Sequence, residues 1–185
     1  MSDCCSPQGY REIFSESSAR AAARKYRRRG LDGQSQHIAR LLKEWGVEGR
    51  TVLEVGGGIG AIEIDLLKAG AASAVCIELT PTYEGAAREL LAEAGLTDRV
   101  ERRVMDFVEV AATVEPADIV VMNRVICCYH DMPRLAGAAA AHAASTLVMS
   151  FPNGRWSTRL VLWAANLGLR VARRQFRVFG HATIL

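Results

Sequence analysis

The sequence has no apolar run long enough to cross a bilayer. Its longest strongly apolar stretch, Leu160–Leu169, already contains Asn166, and a spanning helix needs about 20 such residues. Residues 1–10 are polar and lack the apolar centre of a secretory leader. These two absences point to a soluble, cytoplasmic protein. Cysteine is sparse: Cys4, Cys5, Cys76, Cys127 and Cys128. An odd count with two adjacent pairs does not suit a disulfide scaffold. Adjacent cysteines also lack the CxxC spacing of a metal site, so no metal is expected. The one arrangement that would hold a thiophilic ion needs Cys4 and Cys5 to fold onto Cys127, Cys128 and His130. Aromatic residues make up only 6% and do not interleave with the basic runs, so no nucleic-acid partner is expected. Repeats and low-complexity linkers are missing as well.

What is there suits a packed enzyme domain. Half of the 185 residues are apolar, enough for one sizeable core. The expected layout is a single domain over residues 1–185. It comprises a mobile polar arm (1–18), N-terminal helices (19–46) and a Rossmann-like core (51–180). Net charge is only +3, yet Arg24–Arg29 reads RKYRRR and Arg170–Arg177 holds four arginines. Such runs bind phosphates or a membrane surface, or simply solvate a helix face.

One stretch organises the rest. Thr51–Glu63 reads TVLEVGGGIGAIE, an apolar strand that meets four glycines and then a helical pattern. A buried parallel strand turns this way into a helix whose amides face a ligand. Beyond it, apolar strands alternate with helices. Strands are expected at Thr51–Val55, Ser73–Leu79, Arg99–Val104, Ala117–Met122, Thr146–Phe151 and Gln175–Gly180. Helices are expected at Ala19–Arg29, Gln34–Trp45, Ile59–Ala69, Pro81–Ala94, Met132–Ala144 and Trp156–Arg173, with a short turn of helix at Phe107–Ala112. This alternation predicts an α/β, Rossmann-like doubly wound, mostly parallel sheet with helices on both faces. Ligands then bind beyond the carboxyl ends of the strands.

That filter selects four sets of residues. The glycine loop reads as GxGxG (Gly56, Gly58, Gly60) or as the dinucleotide pattern GxGxxA ending at Ala61. Glu78 ends strand two about 20 residues later, where a carboxylate accepts both ribose hydroxyls. Asp106 follows strand three, placed for an adenine amino group with Phe107 beside it, or as a helix cap. Asn123–Asp131 (NRVICCYHD) concentrates reactive side chains after strand four. His130 is the candidate base by residue type, and Tyr129 a candidate for orienting the acceptor. Arg124, Cys127 and Cys128 are candidate substrate contacts. His37, His142 and His181 are given no role.

Together, Glu54-x-Gly56-x-Gly58-x-Gly60, Glu78, Asp106 and the strand-four segment resemble a class I S-adenosylmethionine-dependent methyltransferase. The likeness covers roughly Gln34 to Gly180 and is nearest to the small magnesium-protoporphyrin methyltransferase-like group. It implies S-adenosylmethionine as cofactor and a small-molecule acceptor, in a monomer or homodimer. It implies that Glu54 orients the loop and the methionine amine, that Glu78 holds the ribose, that Asp106 and Phe107 meet the adenine, and that Asn123 lines the methionine side. N-terminal helices would cover the site. The family's final antiparallel strand has no counterpart here. The competing readings are a nicotinamide-dependent oxidoreductase and a non-catalytic methyltransferase-like binding module.

Overall fold

Runs of Val, Ile and Leu bounded by glycine or polar turns form five strands in the computed structural model, which describes residues 10, 13–151, 156–172, 176 and 178. The strands are β1 (Thr51–Val55), β2 (Ser73–Glu78), β3 (Val100–Val104), β4 (Ala117–Met122) and β5 (Ala143–Met149). They form one sheet in the order β3-β2-β1-β4-β5. Every pairing is parallel, and β1 is central, with Val52 opposite Ala74 on one side and Ile119 on the other. Central parallel strands are covered on both faces and therefore read as continuous apolar runs. Val52, Leu53 and Val55 of β1 and the last four residues of β4 follow that pattern and are buried, with the buried Glu54 as its one interruption in β1.

The helices are α1 (Glu16–Arg29), α2 (Gly33–Glu44), α3 (Ala61–Lys68), α4 (Glu84–Glu93), α5 (Phe107–Val110), α6 (Met132–His142) and α7 (Trp156–Val171). One core lies under α1 to α4 and includes Ile38, Leu42, Ile64, Leu67 and Leu90. The other lies under α5 and α6 and includes Leu53, Phe107, Met122, Ile126 and Leu135. The chain crosses from one face to the other between β1 and β4, which opens a crevice at their carboxyl ends.

Three expectations are corrected at their edges. The first α-helix after β2 starts at Glu84, preceded by a 3-10 turn at Pro81–Tyr83. Helix α6 ends at His142, and β5 begins at Ala143, earlier than the expected Thr146. The alanine-rich sequence carries no punctuation there. Termination is tertiary: the His142 ring nitrogens sit 2.7 and 2.8 Å from the carbonyls of Ala138 and Ala111. Helix α2 ends at Glu44, one residue before the expected Trp45, which stands exposed as its C-cap. The expected sixth strand, 175–180, lies outside the described residues apart from Phe176 and Val178. So do residues 1–9 of the expected arm, including Cys4 and Cys5. Tyr10 is buried, and its ring meets Phe176 edge-on at 5.6 Å.

Candidate active site

The crevice is a cavity of about 440 Å³. Its floor is the loop between β1 and α3. Gly56 turns at φ +70°, in the left-handed region that favours glycine. A Cβ there would also lie 2.5 Å from Val125 Cγ2, so Gly56 is required by packing as well as by backbone. Gly58, at φ +57°, faces the cavity with only ordinary contact to Tyr83. Gly60 caps α3 and does not line the cavity.

Three carboxylates stand at the ends of successive strands. Glu54, within β1, is buried, and its Oε2 accepts the Glu63 amide at 3.1 Å. Burial and the charge of Glu63 push its carboxyl well above the usual range. Glu78, ending β2, accepts the Gly58 amide at 2.8 Å and the Leu79 amide at 3.0 Å. Burial raises its carboxyl too, against those hydrogen bonds. Asp106, after β3, caps α5 by accepting the Val108 amide at 2.9 Å. Its two oxygens also receive the Tyr129 hydroxyl at 3.0 and 3.1 Å. Burial, then the charge of Asp106, pushes the Tyr129 phenol above its ordinary value. Tyr129 is therefore a fixed donor. Phe107 lies beside this pair, with its ring buried.

What holds the floor rigid is a buried charge cluster that no motif in the sequence marks. Arg102, on edge strand β3, has a side chain only 4% exposed. It pairs with Glu63 at 2.7 Å and Glu84 at 2.9 Å, and donates to the Gly58 carbonyl at 2.8 Å. Glu78 holds the amide of Gly58 while Arg102 holds its carbonyl. The adjacent arginines of VERRV must point to opposite faces of the strand, a signal that one of them is turned inward. Burial of charge at that position depends on α3 and α4 arriving from elsewhere in the chain.

The upper wall comes from the N-terminal helices, the segment before them and the 3-10 turn after β2. Tyr10, Phe14, Tyr26 and Tyr83 line it, with Lys25 among them. The rings of Phe14 and Tyr83 lie 6.4 Å apart, and those of Phe14 and Tyr10 6.3 Å. The Tyr10 hydroxyl donates to the Cys128 carbonyl, which ties this wall to the loop after β4.

In that loop the nominated residues separate. Asn123 lines the cavity, donates to the Ser35 hydroxyl at 3.0 Å and accepts from Ser150 at 3.0 Å. Arg124 adopts φ +62°, the one non-glycine residue with positive φ among the described residues. Its amide donates to Ser150 and its guanidinium pairs with Asp32 at 2.7 Å. Burial alone would raise the Asp32 carboxyl, but the Ser35 amide and Arg124 outweigh it and hold it below the usual range. Cys128 and Tyr129 line the cavity, whereas Cys127 and His130 do not, and His130 is exposed. The Cys127 and Cys128 sulfurs lie 3.6 Å apart. The Cys128 thiol beside it lowers Cys127 to about 7.

Glycines that open backbone onto a crevice, with a carboxylate at the end of the next strand, suit a nucleoside with a ribose. The fit is to the donor set: Glu78 keeps acceptor capacity beyond its two amides, and Asp106 sits beside a buried ring.

No curated protein matches the chain. Among solved structures, it is similar to magnesium protoporphyrin IX methyltransferase from Synechocystis with S-adenosylhomocysteine bound. The identity is 16% and the TM-score 0.64, over 81% of this chain and 66% of that one. It is also similar to a Methanococcus maripaludis protein described as an S-adenosyl-L-methionine-dependent methyltransferase. There the identity is 20% and the TM-score 0.61, over 88% and 77%. A Pyrococcus horikoshii protein described as an RNA methyltransferase gives 19% and 0.57, over 76% and 69%. The chain thus spans about two thirds to three quarters of these lengths, and the likeness establishes the fold. Since the family model described as a methyltransferase domain matches residues 5–182, nearly the whole chain, it belongs to the methyltransferase-domain family, whose cofactor is S-adenosylmethionine.

Proposed function

We propose that the methyl acceptor is a small molecule and that it attacks as an already competent nucleophile, with no protein base. The observation that carries this is the lining of the cavity. Among the described residues it includes no histidine, and two of its phenols are committed, Tyr129 to Asp106 and Tyr10 to the Cys128 carbonyl. When bound, the cofactor supplies a methyl group on a sulfonium, displaced in line. The protein's share is position and desolvation.

In this reading Gly56 and Gly58 expose the floor, and Glu54 lies under the methionine end. Glu78 accepts from the ribose and Asp106 from the adenine, with Phe107 against the ring. Asn123, held by Ser35 and Ser150, bounds the methionine side. Tyr129 positions Asp106. The aromatic wall of Tyr10, Phe14 and Tyr83 excludes water over the acceptor, and Cys128 borders the same space. Arg124 acts through Asp32 by bracing the start of α2 against the loop after β4. His130, exposed and off the cavity, carries no proton in this scheme.

Titration calorimetry with S-adenosylmethionine, its demethylated product and NAD tests the cofactor, and only the first two should bind. Radiolabelled methyl from the cofactor should then enter a low-molecular-mass metabolite fraction. Label found only in RNA or protein would refute the small-molecule acceptor. His130→Ala should retain the parent rate, and a hundredfold loss would restore a protein base.

A further inference from the structure

The last 54 residues of the chain, 132–185, contain no Asp, Glu or Lys, and seven arginines. The whole chain is only +3, so the residues before them are net acidic. Helix α7 lies in this acid-free part. Its inner face is given by the half-buried Leu162, Asn166 and Leu169. Asn166 fixes that face by exchanging two hydrogen bonds with the Val178 backbone, at 2.8 and 2.9 Å. The opposite face carries Leu160, Ala164, Leu167 and Val171, spaced as one helical stripe, with Val161 and Trp163 at its borders. The large side chains of this face are between 45% and 78% exposed. Arg170, also exposed, sits beside the stripe. An amphipathic helix normally turns polar residues outward, whereas here the outward stripe is wholly apolar.

A second copy of the chain is a poor occupant. An α7-to-α7 dimer would bring two acid-free, arginine-bearing segments together. A head-to-tail contact would need an apolar patch elsewhere. Among the described residues outside α7, the exposed large apolar side chains are only Trp45, Val104 and Phe151, and Phe151 belongs to the same acid-free part. A surface that offers apolar depth and negative charge together meets both features. At 16 residues the helix is about 24 Å long, and no described helix is long and apolar enough to cross a membrane. It can lie in an interface but not span it.

We propose that the outer face of α7 docks on an anionic lipid bilayer. Trp163, Leu167 and Leu160 enter the boundary between headgroups and acyl chains, while Arg170 meets a lipid phosphate.

The test is co-sedimentation of the full chain with large vesicles at low salt. Vesicles of phosphatidylcholine and phosphatidylglycerol in equal parts should bind the protein at least tenfold better than pure phosphatidylcholine. Binding should fall steeply as salt is raised. Trp163→Ser combined with Leu167→Ser should weaken partition by about tenfold or more. Arg170→Gln should weaken it about fivefold. S-adenosylmethionine binding, read by calorimetry, should be unchanged in both variants. Should the double variant fail to fold, Arg170→Gln and the salt series decide. Equal binding to both vesicles, no binding to either, or partition indifferent to the substitutions would overturn the proposal. So would a dimer of the parent in sedimentation equilibrium that the double variant dissolves.

Discussion

Replacing Arg102 by Met should damage this protein more than any exposed charge change, and the size follows from its surroundings. The Arg102 side chain is 4% exposed, between the side chains of Glu63 at 0% and Glu84 at 10%. Exposed pairs such as Arg20–Glu16, with both side chains more than 60% exposed, contribute little because water screens them. A buried pair broken on one side instead leaves a stranded carboxylate, which costs about 3–5 kcal/mol. For a chain of this size each kcal/mol moves the melting temperature by about 2–4 °C, so the variant should melt roughly 6–20 °C lower. Urea unfolding followed by circular dichroism measures the loss directly. Burial already raises the Glu63 carboxyl, and without Arg102 it rises further. The folded variant then holds a proton that the unfolded chain has lost. Its deficit therefore shrinks as pH falls toward the ordinary carboxylate range and is largest above the raised value. Cofactor affinity should drop about tenfold with loss of the bond to the Gly58 carbonyl. The triple variant Arg102→Met, Glu63→Gln, Glu84→Gln should recover most of the stability, since no charge is stranded. A single variant within 1 kcal/mol of the parent, or a triple variant no better than the single, would refute the reasoning.

Other outcomes follow from the same geometry. Gly56→Ala should destabilise by several kcal/mol, because a left-handed residue costs about 1–2 kcal/mol and its Cβ meets Val125 at 2.5 Å. Gly58→Ala carries the backbone cost alone, so urea midpoints should rank Gly58→Ala above Gly56→Ala. Tyr129→Phe should lose about 1 kcal/mol of stability and raise the KM for S-adenosylmethionine with kcat little changed. An equal fall in kcat would place Tyr129 in the reacting set. Alkylation of Cys127 by iodoacetamide, mapped by mass spectrometry, should rise with pH around a midpoint of about 7. In Cys128→Ala the midpoint should move up toward the ordinary thiol value near ~8.5.

Much of this molecule is written locally. The β-branched runs of β1 and β4, and the glycines between β1 and α3, dictate a parallel sheet with a crevice at its carboxyl edge. Strand periodicity and turn chemistry act over a few residues, so the chain order of elements was legible, as were Glu54, Glu78 and Asp106 at strand ends. Boundaries without punctuation were not. The alanine run at α6 ends where His142 meets carbonyls on its own helix and at Ala111, and no local residue marks that stop. Tertiary structure alone decided which members of Asn123–Asp131 face the cavity, because a 3-10 turn at Ile126–Cys128 sends Cys128 and Tyr129 inward and leaves His130 in solvent. It alone brought Tyr10 and Phe14 to the upper wall. And it alone buried Arg102, since the carboxylates that balance that charge come from α3 and α4, 39 and 18 residues away in sequence. The glycine loop could be found by reading along the chain. The ion pairs that keep it in shape exist only after distant segments have packed.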